Sequence, residues 1–232
     1  MLDLIGTIVL TATIAVILNA AITMMPLSLM QKLSTAAIAG LWIGLAIALA
    51  TTGIYAATAT PVPVVGVMAG LPVIVVAGAA LLSARAREAL LALPVPLLVG
   101  LNTTRVVGGF MVLLAMQGRL SGPFPQAAGW GDVIVALMAI PLTLAAARNP
   151  EGSRGAVLAW NILGALDLVT AVSLGAASAP GSPIQIFGGT VGSTAMTVLP
   201  WSSIPTLLVP FYLITHGIIF AKLARANREG VI

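Results

Sequence analysis

Arg105 stands in VGLNTTRVVGGF, a run otherwise fit for lipid, with Asn102 three residues ahead on the same helical face and Thr104 beside it. Asp167 lies in WNILGALDL, where Trp160, Gly164 and Asp167 share a face at i, i+4, i+7 spacing and Asn161 is turned about 100° from Trp160. Asp132 ends GWGD, and PFYLITH carries Tyr212 and His216 one turn apart on one face. Ionisable groups in a bilayer core cost about 2.5 kcal/mol or more each to insert, so they face the bundle interior and pair. Asp167, at the mid-depth of Arg105, is the expected counter-ion, and Asp132 is the second candidate from the outer side. Such a pair can bind an anionic group, or switch on protonation or substrate entry, with His216 as a relay near neutral pH. It can equally be a brace between two helices. Asp132 reads as a helix-start residue, where the positive helix end favours a carboxylate.

These side chains must be held by elements built for lipid. Of 232 residues, 59% are hydrophobic and 7% charged, against roughly 25% charged in a soluble domain. The apolar runs are long and do not alternate, which predicts helices rather than a barrel. A span needs about 20 apolar residues, and seven such runs follow one another: α1 near Leu2–Met25, α2 near Ala36–Ala57, α3 near Val65–Ser83, α4 near Pro94–Met116, α5 near Trp130–Ala147, α6 near Ala156–Ala177 and α7 near Ile204–Ala224. The breaker TPVPVV separates α2 from α3. Asp3 replaces the positive charge of a signal peptide, and the first run is too long for one, so α1 is read as an uncleaved span.

The fold class expected is therefore an all-α membrane protein, a single transmembrane domain over residues 1–232. Residues 1–93 hold apolar scaffold helices α1–α3, and residues 94–232 hold α4–α7 with every polar candidate. With the N-terminus outside, the inner loops and C-terminal tail carry Lys32, Arg85, Arg87, Arg148, Arg154, Lys222, Arg225 and Arg228, and the outer side only Arg119. That bias puts the C-terminus in the cytoplasm. Between α6 and α7 the segment SAPGSPIQIFGGTVGSTAMTVLPWSS is too broken to span and too apolar for an ordinary loop, so it reads as a Gly-rich re-entrant or interfacial segment. As a lid, Gly188, Gly189 and Gly192 with Thr190, Ser193 and Thr194 would offer NH groups and hydroxyls to an anionic or polar group.

Several chemistries fall away. Without Cys there is no disulfide or thiolate site, and one His makes a zinc site improbable to assemble; no metal is assigned. No cofactor is implied, a haem on His216 being the weakly signalled option. The net charge of +4 is scattered singly, which argues against nucleic acid and for flanking charge at a bilayer. Lys32 and Lys222 both lie at helix ends on the inner side, unsuited to hold retinal, and no GxSxG, Walker loop or HExxH is present. Gly40 and Gly44 form a GxxxG in α2, read as packing within the chain, with an oligomer as the other use. A sugar-transporter plan of three plus one plus three helices finds no internal repeat to support it.

GRLSGPFPQAAGWGD, WNILGALDL and IPTLLVPFYLITH together resemble a family of uncharacterised bacterial polytopic integral membrane proteins, over about Arg105 to His216. The resemblance implies a multi-pass protein of the bacterial inner membrane and marks Arg105, Asp132, Asn161, Asp167 and His216 as family positions; it carries no activity. The leading functional expectation is transport or binding of a small polar or anionic ligand, or of protons, at a site of Asn102, Arg105, Asp132, Asn161, Asp167, Tyr212 and His216. The alternatives are an accessory or assembly subunit of a larger membrane complex and an enzyme acting on a lipid-soluble substrate. An enzyme would use Asp167 or His216 as general base, but no nucleophile with an adjacent base is present.

Overall fold

The computed structural model describes residues 1–56, 58, 63–187 and 189–228, the last two by backbone alone. Among them every regular element is helical, and seven helices are long and apolar enough to cross a membrane. The spans are α1 (Leu2–Met24), α2 (Leu29–Thr51), α3 (Val64–Leu82), α4 (Val95–Met116), α5 (Phe124–Arg148), α6 (Arg154–Ala177) and α7, a π-helical turn Ile204–Leu208 continuing as Val209–Arg228. The breaker residues 60–62, Gly188 and the expected α2 end at Ala57 lie outside the described residues.

Two helix starts differ from expectation, each for a local reason. α2 begins at Leu29 rather than Ala36, because Ser28 and Gln31 form a capping box: the Gln31 amide donates to the Ser28 hydroxyl at 3.4 Å and the Ser28 amide to Gln31 Oε1 at 3.0 Å. α5 begins at Phe124 rather than Trp130. PFPQAAGW reads as loop, but Pro125 sits in the first helical turn, where its missing NH would have no partner anyway. Asp132 is consequently two turns inside α5 and no longer a helix-start residue. The run ARAREALL, expected only as the end of α3, forms its own short helix, Ala84–Leu91, capped by Ser83 accepting from the Ala86 amide.

α4 is not uniform. Its middle, Asn102–Gly108, is 3₁₀-helix. Three consecutive polar side chains take backbone carbonyls there: Asn102 Nδ2 donates to Leu98 O, Thr103 Oγ1 to Gly100 O and Thr104 Oγ1 to Leu101 O. Such bonds compete with the helical ladder. At three residues per turn, Asn102, Arg105 and Gly108 eclipse one another along one ridge, and all three are buried.

α5 packs along α4 and against α6, and α7 closes this group against α6 and α3. Leu98, Val135, Ala139, Trp160 and Ile219 make the core of the α4–α7 group. A second core joins Leu10 and Ile17 of α1 to Met111, Trp201 and Leu208, and a third joins Ala46, Tyr55 and Met68 to Leu207. α7 thus touches all three. Pro210 has no NH for the Thr206 carbonyl, and Trp42 Nε1 of α2 donates to that carbonyl at 3.4 Å. α2 and α3 are the least enclosed spans, with Leu41, Ile74, Leu81 and Leu82 bare. Among the described residues nothing outside their own helix packs on Gly40 or Gly44, since a Cβ at either would meet nothing within 4 Å; this corrects the expectation for the GxxxG.

Candidate functional site

The ridge of α4 delivers Arg105 to the centre of the α4–α7 group, where its side chain is fully enclosed, at 0% exposure. Nε donates to Asp132 Oδ1 at 2.7 Å and Nη2 to Asp167 Oδ2 at 2.5 Å. Nη1 donates to Gly164 O at 3.1 Å and meets His216 Nε2, also at 3.1 Å. Four of the five guanidinium N–H donors are therefore engaged, by groups from α5, α6 and α7. Both carboxylates are partners at once, so Asp132 is a full member rather than a substitute for Asp167.

The imidazole has one consistent tautomer. A guanidinium only donates, so His216 Nε2 accepts and the ring proton is on Nδ1, donating to Asn161 Oδ1 at 2.7 Å. Asn161 fixes that assignment, because its Nδ2 donates back to His216 O at 3.1 Å. The ring is neutral and lies tilted against Trp160, with centroids 5.3 Å apart and planes at 43°. Both nitrogens are occupied, leaving none for a haem iron. Tyr212 lies beneath the guanidinium, 5.7 Å from ring centroid to Cζ, and its hydroxyl shares a 2.8 Å hydrogen bond with Thr104 Oγ1. Asn102 Nδ2 reaches Thr215 Oγ1 at 3.2 Å, while its buried Oδ1 has no hydrogen-bond partner among the described residues. All seven candidates from the sequence thus stand in one connected group.

Glycines make room for it. A Cβ on Gly108 would strike the Asp132 side chain, and one on Gly131 would strike the Asp167 carboxylate. On Gly164 it would come within 2.6 Å of the His216 ring and 3.2 Å of Arg105 Nη1. These are places where backbone and charged side chain must touch.

An apolar cavity of about 150 Å³ runs from this cluster toward the end of the bundle that holds the N-terminus. Asp132 is the one charged residue on its wall among the described residues. Tyr55, Met111, Phe124, Leu168, Ala171 and Met196 line much of the rest. In this direction the polar site expected from the sequence is bounded by an apolar cavity with Asp132 on its wall.

Residues 62–224 match the family model of a domain of unknown function, DUF8737. The chain belongs to the DUF8737 family. The matched range takes in α3–α7 and every member of the cluster, and starts beyond α1 and α2. No curated protein and no solved structure matches the chain.

The DUF8737 chain also holds contacts that sequence reasoning missed. Arg119 Nη1 donates to Asp3 Oδ1 at 2.6 Å, and Trp201 Nε1 donates to the same oxygen at 2.7 Å. Trp201 is fully buried and lies against Gly6, where no Cβ would fit. Asp3, Arg119 and Trp201 are distant in sequence, and only the unexplained lone charges at two loop ends hinted at a pairing. Part of the Gly-rich segment is committed internally, which corrects its reading as an anion cradle: the Gly192 amide donates to Ser121 Oγ, the Ser193 amide to Ser178 O and the Ser193 hydroxyl to Gly175 O. Gly188, part of that reading, is outside the described residues.

Proposed function

We propose that this chain is a small multi-pass membrane transporter whose intramembrane cluster binds and releases a proton on the Asp132–Asp167 pair. The observation that carries the reading is a charge imbalance. One guanidinium faces two carboxylates, and the imidazole beside it is neutral. With both carboxylates ionised the enclosed group would hold one uncompensated negative charge, which a low-dielectric site does not tolerate well. A single proton on the pair restores neutrality, and the two acids then titrate as a unit. Arg105 supports this reading over anion binding, because four of its five donors are already engaged. Placement of the N-terminus outside rests on the positive-inside count. It sets the cavity on the outer face, under the segment between α6 and α7.

The test is proton movement in proteoliposomes carrying a pH gradient and an internal pH-sensitive dye. The wild type dissipates the gradient faster than Asp132→Asn and Asp167→Asn, which match protein-free vesicles. Equal rates in all three preparations would overturn the proposal. The second reading, an assembly subunit braced by its ion pairs, is favoured by the complete enclosure of Arg105. It predicts that the two variants lose thermal stability with no difference in proton movement.

A further inference from the structure

The cavity that ends at Asp132 has a specific chemistry. Its walls are aliphatic and aromatic, drawn from α3, α5, α6 and α7, with Met111 from α4, Tyr55 from beyond α2 and Met196 and Thr197 from the segment above. The Tyr55 hydroxyl is engaged with Ala46 O at 2.9 Å, so what Tyr55 retains for an occupant is its ring. Phe124 adds a second ring. At the cluster end of the cavity stands Asp132, its side chain 12% exposed, with Oδ1 held by Arg105 and Oδ2, which lies against Gly108, without a hydrogen-bond partner among the described residues. An apolar enclosure with two aromatic rings and one under-bonded carboxylate is complementary to an organic cation with an apolar body. A cavity of this volume is known to hold an occupant about the size of benzene.

We infer that the cavity binds a small lipophilic monovalent cation, a substituted ammonium with about one ring, whose charge takes the place of the proton on the Asp132–Asp167 pair. This rests on the proton-binding reading above and gives the same carboxyl pair a second ligand. The balance is simple: the cation enters, one proton leaves the carboxyl pair to the outer phase, and the net charge of the site is unchanged. The charged and titratable groups acting on Asp132 are Arg105 from α4, Asp167 from α6 and Tyr212 from α7, with His216 of α7 on the far side of the guanidinium. Arg105 and the neutral His216 stay as they are during the exchange, and the pair alone changes protonation. A neutral occupant such as a lipid chain would fill the walls equally well but would leave the carboxylate without a purpose in the cavity.

The experiment uses the full chain in lipid nanodiscs with labelled N-methylpyridinium, a one-ring cation near the size of benzene that cannot itself lose a proton, and toluene as the uncharged compound of like shape. The wild type binds the cation, releases one proton per cation by calorimetry in two buffers of different ionisation enthalpy, and is not competed by excess toluene. Asp132→Asn weakens binding by at least about tenfold, the scale of one charged contact. Because that variant can misfold, Ala171→Leu, which narrows the cavity at a residue that is not a member of the cluster, is measured beside it after its unfolding midpoint is checked. A folded Ala171→Leu protein that binds as the wild type does would overturn the inference, as would displacement by toluene. Absence of cation binding while the carboxyl pair still titrates by infrared spectroscopy overturns the ligand class alone. Absence of both overturns the proton-binding reading with it.

Discussion

Arg105 is held by two carboxylates, one carbonyl and one imidazole, and this changes what mutation does to it. Removing one partner from a buried ionic group leaves an uncompensated charge and costs about 3–5 kcal/mol, whereas replacing the whole group by apolar residues is often neutral. Arg105→Met alone should therefore lose about that much in chemical unfolding. Arg105→Met with Asp167→Leu still strands Asp132, and only the triple variant with Asp132→Leu should return toward wild-type stability. A double variant as stable as the triple one would show that Asp132 is not a member. Gly164 gives a second residue-level test. Gly164→Ala forces a Cβ to 2.6 Å from the His216 ring, which Asn161 and Arg105 hold in place. It should cost about 1–3 kcal/mol, the range for overpacking, read by thermal unfolding in detergent.

At the scale of elements, the same residue type behaves differently on different helices. Gly6 of α1 lies against Trp201, so Gly6→Ala should displace that ring, loosen the Asp3–Arg119–Trp201 contact and lower the unfolding temperature. Gly40→Ala on α2 meets nothing and should leave the unfolding temperature of the chain within error or slightly raised. Helix existence was legible in the sequence because long apolar runs have one solution in lipid. Helix starts were less so. Ser28 and Gln31 spell a capping box inside a polar-looking stretch, and Pro125 suits a helix beginning as well as a loop. The late start assigned to α5 is what hid the depth of Asp132. Arg105 and Asp167 were legible as a pair because a charge stands out in an apolar run, and their matching depths follow from counting turns. The 3₁₀ stretch that aligns Asn102, Arg105 and Gly108 was not, since it arises from side-chain bonds to carbonyls that no periodicity records.

For the whole molecule, one polar cluster sits inside α4–α7 while α1–α3 flank α7. The cavity and the Asp3–Arg119–Trp201 contact share the end that holds the N-terminus. The chain has no Cys, so single introduced thiols read its sidedness directly. Gln117→Cys, in the loop between α4 and α5, should react with an impermeant maleimide in intact cells. Glu151→Cys, between α5 and α6, should react only after permeabilisation. The reverse pattern would turn the molecule over and put the cavity in the cytoplasm. The central claim is one exchangeable proton on the Asp132–Asp167 pair. Infrared difference spectroscopy of the purified protein across a pH titration tests it most directly. The account predicts one protonated-carboxyl band near neutral pH that is lost or shifted in both Asp132→Asn and Asp167→Asn. A wild-type protein with no such band, both carboxylates being ionised at neutral pH, would contradict it.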